Sequence, residues 1–271
     1  NQSFLKRYDC AIVYRSLELS TIFKILWLKL TSQKVFYDQV INYFTPGSHI
    51  SFKRKIFISV LNSLVDGIIC TTDPIAQSAR NIHNVVVRIP EGVDLNHFNK
   101  LKNNINFEHP TFIWSGAHHK ATFLNSYATD ITGQINLITK IDIKKELLEF
   151  DYHLIEWSHG SFPQDIISGD IALLPRDLSS AYNQGHSEFK ALVFAVSGIP
   201  IIANKLPSYV QLSHFYDGIV FLEDYGNDIK SCIAELKNRT FDVKRVRSEY
   251  DVNNLCLRLL KHLQYSLKNL I

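Results

Sequence analysis

The 271-residue sequence contains no methionine, and its first residue is Asn1. A chain of this length ordinarily holds several methionines. The first expectation is therefore a processed protein or a piece of a longer one. Cysteine is sparse too. Cys10, Cys70, Cys232 and Cys256 stand far apart, with no C-x-x-C pair. This spacing offers no zinc-like grouping and predicts reduced thiols in a cytosolic protein. Long apolar runs are also missing. None approaches the roughly 18 to 20 residues of a membrane-spanning helix, and the most apolar early stretch, 22–30, is broken by Lys24 and Lys29. No leader peptide opens the sequence. Excess charge of one sign is lacking as well. The 29 basic and 26 acidic residues leave +3, which predicts no nucleic-acid partner.

Several catalytic signatures are absent. There is no G-x-G-x-x-G and no G-x-x-x-x-G-K-[ST], so dinucleotide oxidoreduction and P-loop chemistry fall away. Residues 185–189, GHSEF, nearly match a nucleophile elbow, but Phe189 stands where a small residue is needed. His118 and His119 are the only adjacent histidines, and no H-E-x-x-H occurs. Neither a metal nor a cofactor is expected.

What is present is a globular composition, 46% hydrophobic and 20% charged. Short apolar runs alternate with helical patterns along the whole length. Strands are predicted at 9–14, 34–38, 66–71, 84–89, 111–114, 135–138, 152–157, 170–174, 199–203 and 219–222. Helices are predicted between them, including 120–127, 141–150 and 188–197, and a final one over 248–267. Strands apolar on both faces need helices on both sides of a parallel sheet, so the class is α/β. The polar, aperiodic stretch 99–110 reads as a linker. It divides a unit over 1–105 from a unit over 106–271. Ligands of such sheets bind beyond the carboxyl ends of the strands.

Four segments, in order, carry a resemblance. The first is DGIICTT (66–72) with VVVRIPEGVDLNHF (85–98). The second is FIWSG (112–116) followed by Lys120. The third is Glu156-Trp157 through DIALLP (170–175). The fourth is Ser187-Glu188-Phe189-Lys190 through GIPIIA (198–203). Together they resemble the GT-B nucleotide-sugar glycosyltransferases of family 4, also called group 1. The resemblance covers most of residues 9–265. It implies two Rossmann-like domains with parallel sheets, the second binding the donor. It also implies that the first is truncated, lacking on the order of 60 to 80 residues by domain-size priors.

The activity implied is transfer of a sugar from a nucleotide-sugar to an acceptor glycan or lipid-linked saccharide. By resemblance it is retaining, needs no metal and is cytoplasmic, with peripheral association at the inner membrane face as an option. Such chemistry must stabilise a departing diphosphate, which cationic side chains and helix N-termini do. Gly116, Lys120, Ser187 and Lys190 are the diphosphate candidates. Gly116 would let backbone approach a phosphate. His118, His119, Trp157, His186 and Glu188 are candidates for donor sugar or nucleotide contacts. Trp157 would stack on a base or simply pack. Arg15 is the acceptor-side candidate.

Two positions depart from the family. Ala117-His118-His119 stands where the family has an arginine, and an imidazolium there would be pH-dependent. Val193 stands where the family has a ribose-gripping glutamate, a role Glu188 might fill from one turn earlier. Two alternatives therefore stay open: a sugar-nucleotide epimerase or hydrolase, and a non-catalytic binding or assembly subunit. Lys53, Arg54 and Lys55 form a basic cluster, read as a solvated helix face or a contact with an anionic membrane.

Overall fold

A computed structural model describes residues 8–14, 18–42, 51–131, 133–140 and 148–268. Its elements run β1 (Tyr8–Tyr14), α1 (Leu19–Thr31), β2 (Ser32–Gln39), α2 (Phe52–Leu64), β3 (Gly67–Cys70), α3 (Asp73–Arg80) and β4 (Val86–Arg88). There follow β5 (Phe112–Ser115), β6 (Ile135–Thr139), β7 (Tyr152–Glu156), α4 (Phe162–Ile166), β8 (Ile171–Leu174), α5 (Ala181–Gln184) and α6 (Phe189–Val196). The remainder is β9 (Ile201–Ala203), α7 (Pro207–Ser213), β10 (Ile219–Phe221), α8 (Ile229–Lys237), α9 (Lys244–Tyr250) and α10 (Val252–Lys268). The helix expected over 141–150 lies mostly outside the described residues. His118–Tyr127 winds as a 3-10 helix rather than an α-helix.

Two compact units emerge, each discontinuous in sequence. The first comprises Asn1–Glu91, Ser179–Ser187 and Asn253–Ile271, and the second Gly92–Leu178 and Glu188–Val252. The sequence reading had placed a single break at residue 105.

In the first unit the sheet order is β1-β2-β3-β4, all parallel. Side chains alternate across it. Val35 and Tyr37 of β2 join a core with Ile25 of α1, Leu61 of α2 and Ile75 of α3. Phe36 points the other way and meets Ile69 and Leu263 of α10. The segment 179–187 is held to this unit by Thr72, whose hydroxyl donates to the Gly185 carbonyl at 3.2 Å. A Cβ on Gly185 would sit 2.8 Å from Asn42 Cβ, so only glycine allows that approach.

In the second unit the order is β10-β9-β8-β5-β6-β7, again all parallel. The chain builds outward from β5 through β7, then returns to the other flank of β5 with β8. Between β5 and β8 the order reverses, which opens a crevice beyond their carboxyl ends. Strands β5, β6, β8 and β9 are buried along their whole length. That explains why they are almost wholly apolar, the exceptions being Ser115 of β5 and Asn136 and Thr139 of β6.

The stretch expected to be a linker is packed onto this second unit. Asp170 accepts from the amides of Asn106 (3.2 Å) and Thr111 (3.0 Å) and pairs with Lys102 at 3.0 Å. Lys102 N–H donates to the Ser197 carbonyl at 2.8 Å. Its polarity thus serves hydrogen bonds to the fold, not solvation alone. The final helix also departs from expectation. It is interrupted at Asp251, which is extended (φ −60°, ψ 125°) and bridges Val93. The pairing of Val93 with this turn is non-local, so local periodicity does not reveal it. Among the described residues no helix is long and apolar enough to cross a membrane.

Candidate functional site

The second unit holds a cavity of about 590 Å³ at the carboxyl ends of β5, β6 and β7 and the start of α6. Gly116, His118, Trp157 and Lys190, all singled out in the sequence, line it. Lys190 anchors its floor. Its ammonium lies 4.5 Å from the centre of the Trp114 ring, a cation–π contact with the indole face. Burial, then the positive charges of Arg176 and Lys120, push its pKa down to about 7. Lys120 is half-buried, and its pKa is lowered by burial and by Arg176. Arg176 thus bears on both lysines and Lys120 on Lys190, which brings three cations together near the crevice between β5 and β8. Such a cluster is poised to receive a polyanion.

Gly116 is where this packing demands a missing side chain. A Cβ there would come 2.7 Å from Lys190 Nζ and 2.9 Å from the Trp114 ring carbons. Arg176 follows β8 directly after Pro175. Its N–H donates to Asn204 Oδ1 at 2.7 Å, and Asn204 in turn donates to Glu223 at 2.9 Å. Glu188, fully buried just ahead of α6, raises the pKa of the buried Tyr209 phenol while Arg176 lowers it; burial is the largest influence and raises it. Glu188, Tyr209 and Arg176 are thus one electrostatic neighbourhood behind the cation cluster.

The far side of the cavity is aromatic. Trp157 is exposed, and its N–H donates to the Thr139 carbonyl at 2.9 Å, which extends the β6–β7 pairing. Its ring lies 6.4 Å from that of Phe162. His97 and His159 stack with centroids 4.3 Å apart, and both line the cavity with Phe98, Phe189 and Val193. Val193, 1% exposed, offers the cavity only methyl groups. His119 meets His118 edge-on at 5.5 Å and is exposed. Among the described residues no group of three or more His, Cys, Asp or Glu is arranged to hold a metal ion.

Not every candidate gathers in this unit. Ser187 belongs to the first unit, where its hydroxyl donates to the Glu91 carboxylate. His186 lies there too, its ring 5.2 Å from Tyr182. Arg15 lies outside the described residues. Sequence reasoning missed Arg176, His97, Phe98 and Phe162. The rule that ligands sit past strand ends pointed at Arg176. No sequence signal announces the His97–His159 stack, which joins residues far apart in the chain.

No family model matches this chain. No curated protein matches it either. Solved structures do. Sucrose-phosphate synthase from Thermosynechococcus elongatus superimposes with a TM-score of 0.71 at 12% identity, covering 95% of this chain and 73% of that one. The fold is GT-B. A TarM variant from S. aureus, solved with fondaparinux, alpha-GlcNAc-glycerol and UDP, gives 0.60 at 10% identity, over 86% of this chain and 51% of that one. The GT-B likeness extends to UDP-N-acetylglucosamine 2-epimerase from Rickettsia bellii, at 0.54 and 12% identity, over 96% of this chain and 74% of that one. The chain spans about half of TarM. At these identities the likeness speaks for the GT-B fold.

Proposed function

We propose that this chain carries the donor site of a glycosyltransferase that moves a sugar from a nucleotide-sugar to an acceptor glycan or lipid-linked saccharide. The observation that carries this reading is the convergence of Lys190, Arg176 and Lys120 at the β5–β8 crevice. A diphosphate bound there restores the charge of Lys190, because an opposite charge favours the ammonium. As the bond from the anomeric carbon to the distal phosphate oxygen breaks, the three cations stabilise the charge left on the diphosphate. The acceptor oxygen takes that carbon, and its proton leaves with the departing phosphate. The exposed Trp157 ring offers a stacking face for the base. The sugar nucleotide is substrate, and the scheme requires no cofactor. Retention of configuration follows from the family resemblance.

The test is a thermal-shift and calorimetric panel of UDP, GDP, ADP, CMP and dTDP with their sugars. At least one is expected to stabilise the protein, and Lys190→Ala to abolish the shift. Loss of a charged hydrogen-bond partner weakens binding roughly 10- to 150-fold. Unaltered binding by Lys190→Ala would remove the assignment of this lysine. A second reading, an acceptor-independent epimerase or hydrolase, is favoured by the His97–His159 pair in the same cavity. Incubating the preferred nucleotide-sugar alone separates the two: a changed sugar or free sugar appears only under the second.

A further inference from the structure

Sugar transfer uses Lys190 as a cation, and its neutral form is a different reagent. A free lysine amine is a nucleophile toward carbonyl carbon. Lysines desolvated in an apolar pocket, or set beside another cation, are the ones activated for that role. Lys190 meets both conditions. Burial, Arg176 and Lys120 together bring its pKa to about 7. Near pH 7 roughly half of Lys190 is then free amine, against roughly one part in 2,500 for an ordinary lysine. Lower basicity makes each free amine a weaker nucleophile, but by a smaller factor than this gain in population.

The surroundings supply room and partners for an electrophile. Lys190 lines the cavity of about 590 Å³ together with Gly116. A Cβ on Gly116 would stand 2.7 Å from Lys190 Nζ, so the glycine leaves that side of the nitrogen open. Among the described residues that line the cavity none is Asp or Glu, so no carboxylate of its wall recharges the amine. Phe98, Trp157, Phe162 and Phe189 make the wall aromatic. Arg176 and Lys120 add a positive field that draws an anion toward the nitrogen. An aromatic ring, an anionic group and an electrophilic carbon in one molecule would satisfy all three features.

We propose that Lys190 is a covalent modification site that condenses reversibly with an aromatic aldehyde bearing a phosphate. The amine lone pair attacks the aldehyde carbon, and the C–N bond forms as the carbonyl electron pair moves to oxygen. That oxygen leaves as water with the two protons of the amine, and a C=N bond remains. The ring lies against the aromatic wall, and the phosphate in the field of Arg176 and Lys120. Water adds back to release both partners, so no oxidant or reductant is consumed. The adduct occupies the nitrogen assigned to the donor diphosphate, yet its formation does not depend on nucleotide binding.

The experiment treats the full chain at pH 7 with para-formylphenyl phosphate. Cyanoborohydride reduces the imine to a stable amine, and peptide mass spectrometry locates it. The Lys190 peptide is expected to label at least about tenfold faster than the other lysine peptides of the same sample, from its larger share of free amine. Benzaldehyde, which lacks the phosphate, should need roughly tenfold more reagent for the same rate, since a charged contact is missing. Lys190→Arg keeps the charge without the nucleophile and should lose the fast label. Labelling of Lys190 no faster than that of other lysines overturns the proposal, and so does equal labelling by benzaldehyde. Fast labelling that no nucleotide-sugar slows supports the modification site and counts against the donor reading. Slow labelling of a protein whose nucleotide binding Lys190→Ala abolishes overturns the modification site and leaves the donor reading intact.

Discussion

The Lys190 ammonium rests on the face of the Trp114 indole, 4.5 Å from the ring centre. Trp114 is buried at the end of β5, so the cation has a fixed seat before any anion arrives. A desolvated ammonium gives up its proton readily, which is why burial leads the causes that bring its pKa to about 7.

A pH dependence follows with a definite sign. Between about 7 and the ordinary 10.5, the unfolded chain holds a proton on Lys190 that the folded protein does not. Stability of the ligand-free protein therefore rises with pH across this window and is lost as pH falls through it. In the proposed donor site diphosphate binding needs the charged lysine, so affinity should fall above pH 7 by up to about tenfold per unit. Calorimetry at pH 8.5 in buffers of different ionisation enthalpy should report uptake of close to one proton, and Lys190→Ala should report none.

Arg176→Ala should split two observables. Removing one positive neighbour raises the Lys190 pKa above 7, read by NMR titration of lysine labelled at Cε. Nucleotide affinity should nevertheless drop roughly tenfold or more, because a charged contact is gone. A drop in both would mean that Arg176 acts by holding the fold.

Gly116→Ala should disturb Lys190 and Trp114 together, since its Cβ falls within 3 Å of both. Overpacking of this kind costs about 1–3 kcal/mol, visible as a lower denaturation midpoint. The tryptophan emission should change as well, since the Trp114 indole must move.

Asp170→Ala leaves two amides without their acceptor and strands the Lys102 charge. A loss of about 3 kcal/mol is expected in urea unfolding. Asp170→Asn, which keeps one acceptor oxygen, should recover part of it.

Much of the fold was legible because strands such as β5, β8 and β9 are apolar on both faces and stop at Ser115-Gly116, Pro175 and Asn204. Lys190 and Gly116 could be singled out by their places after strands. The 92–105 segment was read with the wrong unit. A residue like Lys102 looks the same in sequence whether it is solvated or bonded to Asp170. The break at Asp251 was invisible because the bridge to Val93 spans more than half the chain. Ser187 and Lys190 stand three residues apart in one motif, yet they pack in different units, a separation that motif matching does not see.

The excursion of residues 179–187 has a practical consequence. The polypeptide passes between units after residues 91, 178, 187 and 252, which makes four passages. No single cut can sever the second unit from the rest. A recombinant 92–252 piece would carry nine residues (179 to 187) that pack with the other unit. To isolate the cation cluster for titration, that excursion would have to be replaced by a short polar bridge from Leu178 to Glu188.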